Sequence, residues 1–291
     1  MYRRNDSIFA PQPDGRDEGQ RTITATAAAY HAYGHVNTLG GAGAAYLATG
    51  DNAYLALLKN GYESLQDQIF ATGGLGPDEQ LLPKNEWLGK LQATPNSFET
   101  QCGSWAVFKL AKDLITCTGD ASYGDWAERL YVNGIAASLP IASDGRVFYY
   151  SDYRPDGGVK RLHNDPWTCC TGTRPQAVAE CADLIYFHDA SNVAVNLFVP
   201  STLHCTLGQG DVVIQQRTRF PESGTVEFSI STAKPARFGL RIRKPSWARS
   251  EIRVVLPRAQ PRKTHPSAPV TGPKGPRLQR PLPECGRFRT A

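Results

Sequence analysis

The chain has 291 residues, 41% of them hydrophobic and 20% charged, which suits about two globular domains with cores of their own. Its net charge of +5 sits in one place: residues 257–291 carry eight Lys or Arg against one acid, so residues 1–256 carry −2 and lack the basic footprint of a nucleic-acid binder. No apolar run reaches the roughly 18 residues of a membrane span, and seven cysteines, an odd number, argue against a disulfide framework.

Residues 1–21 are polar and turn-rich (Pro11, Pro13, Asp14, Gly15) and read as irregular. No apolar stretch follows Met1-Tyr2-Arg3-Arg4, so no secretory leader is expected. Together with the unpaired cysteines this favours a cytoplasmic setting. An Ala-rich helical pattern then runs over 22–33 and again over 35–47. Thr49-Gly50-Asp51 breaks it, and Tyr54, Leu55, Leu57, Leu58, Tyr62 and Leu65 mark the next amphipathic helix. The same punctuation returns at Thr118-Gly119-Asp120, ahead of Tyr123, Trp126, Ala127, Leu130 and Tyr131. Glycine ends one helix and aspartate caps the next, so each triplet marks a helix–turn–helix hairpin. Two hairpins predict an array of helix pairs with loops gathered round one mouth.

The loop between the hairpins, TGGLGPDE at 72–79, is glycine-rich, but no Lys-Ser/Thr follows and neither phosphate-binding pattern is complete. Nucleotide binding is excluded. The glycines let the backbone turn tightly and present Glu79, with Glu86 as a competing carboxylate nearby.

Residues 98–170 hold the densest chemistry. Glu99 and Cys102 lie three apart at the head of a helix-like run, where i and i+3 share a face. Cys169 and Cys170 close the segment, and one carboxylate with three sulfurs matches a tetrahedral zinc site in number and type. Buried cysteine is also a common small hydrophobe, so residue types alone leave metal binding and simple packing both open. Between these ends, Arg146-Val147-Phe148-Tyr149-Tyr150-Ser151-Asp152-Tyr153 offers aromatics beside an acid, either as a sugar platform or as core.

A further helix is expected over 171–186. From Val193 the apolar period becomes two: Val193, Val195, Leu197 and Val199, then 212–214, then Val226, Phe228 and Ile230, then Phe238, Leu240 and Ile242. This predicts an antiparallel β-sandwich after a boundary near 187–193, with its last strand at Val254-Val255-Leu256. Beyond it, 257–291 is rich in Pro and Arg and reads as a disordered basic tail. The domain order is therefore 1–21 irregular, 22–190 helical, 191–256 β-sandwich and 257–291 tail.

The ordered blocks TGGLGPDE, FETQCGSWA, TGDASYGDWAERLYVNGI, GRVFYYSDY, WTCC and VAVNLFVPS resemble the β-L-arabinofuranosidase family of glycoside hydrolases, family 127. With the helices around His35, the likeness covers about residues 22–250. The resemblance implies part of an (α/α)6 toroid followed by a β-sandwich, and retaining hydrolysis by a cysteine nucleophile held on Zn2+. Carried over by motif, Cys169 is the nucleophile and a ligand, Glu99, Cys102 and Cys170 complete the zinc site, and Glu79 is the general acid/base. His35, Glu128 and Tyr150 match positions that line the sugar pocket, and the implied partner is an oligosaccharide or glycoside. The cysteine stands three residues after the glutamate here, where the family often has two. The chain also enters the family pattern late, which suggests a truncated N-terminus, and the tail leaves it abruptly, as a shifted reading frame would. Two other readings compete: an α/α-barrel enzyme using carboxylates alone, such as Glu79 with Asp152, and a non-catalytic remnant that at most binds sugar.

Overall fold

The computed structural model describes residues 30–153, 159–162, 169–208, 210–249 and 251–256. The irregular segment 1–21, the opening of the first expected helix at 22–29, Trp167 with Thr168, and the tail 257–291 lie outside the described residues. No helix among them is long and apolar enough to cross a membrane.

A two-residue strand β1 (Tyr30–His31) leads into α1 (Ala32–Thr49), so the chain is extended at residues 30–31, where helix was expected. After α1 comes α2 (Asn52–Gln66). Gly50 has φ 69°, a left-handed conformation that glycine adopts without a Cβ clash, and its N–H closes α1 on the Tyr46 carbonyl. Asp51 then accepts from Ala53 N at 2.9 Å and starts α2. Gly119 (φ 71°) and Asp120, which accepts from Ser122 N at 2.9 Å, repeat the device. Both hinges are as the sequence predicts.

After α2 come β2 (Gln80–Leu81), α3 (Lys84–Ala93), β3 (Phe98–Glu99) and α4 (Thr100–Thr118). A 3-10 turn (Ala121–Tyr123), α5 (Gly124–Leu130) and a π-turn (Tyr131–Ala136) follow, then β4 (Tyr150–Ser151), β5 (Lys160–Arg161) and α6 (Cys169–Asp183). The central helix is α4, packed by α1 and by α6. Its Val107, Phe108, Leu110 and Leu114 are at most 1% exposed, each contributing about 1.5–3 kcal/mol by burial. Two short antiparallel sheets frame the helix starts: β1 with β2, and the three strands in the order β3-β4-β5.

The β part begins at β6 (Tyr186–His188) and continues through β7 (Asn192–Val195), β8 (Ser201–Leu207), β9 (Gly210–Thr218), β10 (Val226–Thr232) and β11 (Gly239–Ile242). One sheet has the order β11-β7-β6 and the other β10-β9-β8. Val193, Leu207, Val212 and Ile214 are buried together between them, the shared core of a small two-sheet stack. All pairings are antiparallel except that β11 runs parallel to β7. Strand β8 falls outside the periodic runs that the sequence shows. The last described strand ends at Ile242, and Val254, Val255 and Leu256 are irregular and exposed rather than a strand.

Candidate active site

The helix starts and strand registers bring together residues far apart in sequence. Glu99 ends β3 and caps α4 without a side-chain capping bond, so its carboxylate is turned away from the helix N–H groups. Cys102 lies in the first turn of α4, and Cys169 and Cys170 open α6. The sulfurs thus sit in the first turns of two helices. Donor atoms of Glu99, Cys102, Cys169 and Cys170 all lie within 4.8 Å of one another, a set able to hold a metal ion. Cys102 Sγ is 3.3 Å from Cys169 Sγ and 3.7 Å from Cys170 Sγ. Glu99 Oε1 is 3.5 Å from Cys169 Sγ and 3.9 Å from Cys170 Sγ. Cys102 and Cys170 are fully buried, whereas Cys169 is exposed.

Hydrogen bonds from Cys102 and Cys170 hold the Cys169 thiol below its usual range. The bond to Cys169 pushes Cys102 up, while burial pushes up Cys170 and Glu99. Cys169 is also the sulfur of the three that solvent reaches.

Glu79 faces this cluster. Its backbone is left-handed at φ 61°, and Asp78 before it has φ 54°, conformations that cost a non-glycine residue roughly 1 kcal/mol or more each. The loop that imposes them is tied down on several sides. Trp126 Nε1 donates to Gly73 O at 2.7 Å, Asn133 Nδ2 to Thr72 O at 3.1 Å, and Asp78 pairs with Lys90 at 2.7 Å. A Cβ at Gly74 would stand 2.5 Å from the Phe98 ring, and one at Gly76 2.3 Å from Ser97 O, so these glycines are there for close approach.

Register supplies the partners of Glu79. His31 pairs with Gln80 across β1–β2, and its Nε2 lies 3.2 Å from Glu79 Oε2. Glu99 pairs with Tyr150 across β3–β4, and Tyr150 Oη donates to Glu79 Oε1 at 2.5 Å. Burial drives Glu79 upward, but donors on His31, Tyr149 and Tyr150 outweigh it and hold the carboxyl below its usual range. Tyr149 Oη is also 3.4 Å from Cys169 Sγ, and so links the acid to the sulfur.

The chain matches the sequence model described as "Beta-L-arabinofuranosidase, GH127 catalytic domain" over residues 6–183, more than half its length. The chain belongs to this glycoside hydrolase family. The GH127 middle domain matches residues 192–265. A non-reducing end beta-L-arabinofuranosidase of Bifidobacterium longum subsp. longum is 27% identical over 174 residues, 53% of this chain and 25% of that enzyme. The crystal structure of a GH127 beta-L-arabinofuranosidase from Geobacillus stearothermophilus T6 overlays with a TM-score of 0.61 at 21% identity, covering 77% of this chain and 36% of the other. A second solved GH127 beta-arabinofuranosidase gives the same TM-score and identity, over 76% and 34%. At that identity the likeness is one of fold, a helical toroid followed by β domains. This GH127 chain spans about a quarter to a third of the length of these relatives.

Of the residues named from sequence, Glu79, Glu99, Cys102, Tyr150, Cys169 and Cys170 meet at one place. His35 lies one turn along α1, 6% exposed, and burial pushes its imidazole down to about 4. The histidine that reaches Glu79 is His31, four residues earlier. Glu128 does not join the cluster through any of its recorded partners. It is 4% exposed on α5, with one oxygen on Arg243 and the other accepting from Trp247 Nε1 at 2.6 Å, so its carboxylate ties α5 to the β part. Glu86 is exposed in the first turn of α3. Sequence reasoning placed Tyr149 only within a general aromatic platform, and it missed His31 and Thr173, whose Oγ1 is 3.1 Å from Cys102 Sγ. Helical spacing places Thr173 one turn after Cys169, and that alone could have found it.

Proposed function

We propose that this chain carries the catalytic centre of a retaining glycosidase acting on a β-linked L-arabinofuranoside, with Cys169 as nucleophile and Glu79 as general acid/base. The observation that carries the reading is the exposed Cys169 sulfur standing over two buried ones, with an anchored carboxylate on the same side.

Zinc fits the donor set. Two sulfurs held about 2.3 Å from one tetrahedral ion stand about 3.8 Å apart, and the observed separations are 3.3 and 3.7 Å. Glu99, Cys102, Cys169 and Cys170 would hold it. When bound, it would keep the sulfurs deprotonated and leave the cluster with a charge of about −2, which pushes Glu79 back towards its protonated form.

The chain's residues then divide the work. Cys169 attacks the anomeric carbon while Glu79 gives its proton to the departing oxygen. Glu79, again a carboxylate, takes a proton from water, which attacks the anomeric carbon from the face the departing oxygen left, breaks the carbon–sulfur bond, frees the Cys169 thiolate and gives net retention. His31 and Tyr150 stabilise that carboxylate through Oε2 and Oε1. Tyr149, between Glu79 and Cys169, orders both.

The test is an arabinofuranosyl haloacetamide followed by peptide mapping, alongside the anomeric outcome on an aryl β-L-arabinofuranoside. Label on Cys169 in preference to Cys170, with retention, is the expected result. Hydrolysis with inversion, or an unchanged rate after Cys169→Ala, sinks the cysteine mechanism.

A further inference from the structure

His31 makes two contacts through its two ring nitrogens. Nδ1 accepts the backbone N–H of Gly34 at 3.0 Å, which caps the start of α1. Nε2 lies 3.2 Å from Glu79 Oε2. A neutral imidazole carries one proton, and a nitrogen accepting an N–H cannot hold it. The helix cap therefore assigns the proton to Nε2, the nitrogen that faces the carboxylate.

This settles between two uses of the residue. His31, Glu79 and Glu99 also place donor atoms within 4.8 Å of one another, a spacing open to a metal ion. A metal ligand needs a bare nitrogen, and freeing Nε2 would put a proton on Nδ1, directly against the Gly34 N–H. In this ring orientation His31 is a hydrogen-bond donor to Glu79.

Resting on the glycosidase reading above, we propose that His31 is a positioning residue for Glu79: the N-cap of α1 locks its Nε2–H tautomer, and that N–H aims the acid/base carboxylate. The clamp is two-sided. Tyr150 Oη holds Oε1 at 2.5 Å and His31 holds Oε2, so the carboxyl plane has no free rotation left. The Ala32 N–H, the first of α1, donates to Glu79 O at 2.6 Å, tying the same helix start to the backbone of the acid. Such over-determination is what a left-handed φ of 61° at Glu79 requires. Orientation then sets the rate, because an acid displaced from the leaving oxygen loses much of its effect.

Two substitutions separate the cap from the clamp. His31→Asn keeps a good N-cap acceptor for Gly34 but is too short to reach Glu79. His31→Gln is long enough to donate to Glu79 but caps poorly. The expected result for His31→Asn is wild-type thermal stability, unchanged KM, and a kcat lowered about tenfold to a hundredfold on poor leaving groups. On an activated aryl leaving group the loss is smaller, as it is for Glu79→Gln. His31→Gln should recover part of the rate while melting earlier. In the wild-type chain, long-range 15N–1H spectra should show a protonated Nε2 and a bare Nδ1, a readout independent of turnover. A proton found on Nδ1, a wild-type kcat for His31→Asn on poor leaving groups, or an equal loss on every leaving group overturns the proposal. Should Glu79→Gln itself show no leaving-group dependence, the glycosidase reading fails instead, and the spectra still decide the tautomer.

Discussion

Glu128 offers a sharp choice between a sugar ligand and a structural anchor. The Arg243 side chain is 1% exposed, with Nη1 on Asp125, Nη2 on Glu128 and Nε donating to Asn196 O at 2.6 Å. Trp247 Nε1 donates to the remaining Glu128 oxygen at 2.6 Å. Removing one partner of such a buried pair strands the other, at about 3–5 kcal/mol. Glu128→Gln keeps the shape and one acceptor, leaves Arg243 its Asp125 partner, and should cost about 2 kcal/mol as a lost charge-assisted bond. Arg243→Met, which strands two carboxylates, should cost about 3–5 kcal/mol. The double variant should cost clearly less than the two together, with a coupling of roughly 1–3 kcal/mol. Urea denaturation followed by far-ultraviolet circular dichroism measures all four corners. Single variants that add without coupling, or a Glu128→Gln chain as stable as wild type with an altered KM, would refute the anchor and return Glu128 to the sugar pocket.

Acid should weaken the fold through His35. Its folded pKa of about 4 lies below the unfolded 6.5, so the unfolded chain takes up a proton first and stability falls as pH drops between those values. The full span is worth about 3 kcal/mol, and His35→Leu should flatten that part of the pH profile in denaturant melts; an unchanged slope counts against a buried neutral imidazole. Cys170→Ser should lower zinc content, read by atomic emission, and melting temperature together, because binding energy at such a site is folding energy; a metal-free chain of full stability under reducing conditions argues against the site. Gly76→Ala places a Cβ 2.3 Å from Ser97 O and should cost about 2–4 kcal/mol while lowering kcat through Glu79; normal melting and turnover would show that the loop has room.

What the sequence made legible follows from how local each signal is. The two Thr-Gly-Asp hinges were readable because capping and a left-handed glycine act within a few residues of each other. The cysteines and Glu99 were readable as donor types, and Glu79 as the acid a glycine-rich loop presents. Harder were the partners set by register. Nothing in the local sequence says that residue 31 pairs with residue 80, and so His35, four residues further on, was as good a candidate as His31. The partners of Glu128 were illegible for the same reason, since Arg243 and Trp247 are more than a hundred residues away. Strand β8 was missed because Thr202, His204 and Thr206 alternate with Leu203, Cys205 and Leu207, a weak apolar signal. The parallel pairing of β11 with β7 is likewise a matter of connection rather than composition.

The spacing of Glu99 and Cys102 shows how a register can absorb a sequence departure. An i,i+3 argument assumes both residues are helical, and Glu99 is not: its φ of −74° and ψ of 102° are extended, and it pairs with Tyr150 as a strand. The direction of its carboxylate is therefore set by β3 and that of the Cys102 sulfur by the first turn of α4. One residue more or less between them changes where the helix begins rather than rotating a shared face. Thr100 fixes that point, its N–H donating to Tyr149 O at 2.9 Å and its Oγ1 to Phe148 O at 2.7 Å. The same segment that carries Tyr149 and Tyr150 to Glu79 thus determines where α4 starts, and with it which side of the helix Cys102 presents to Cys169. Glu99, Cys102 and Glu79 are all placed through one strand pairing, so a shift in that register would be felt at each of them.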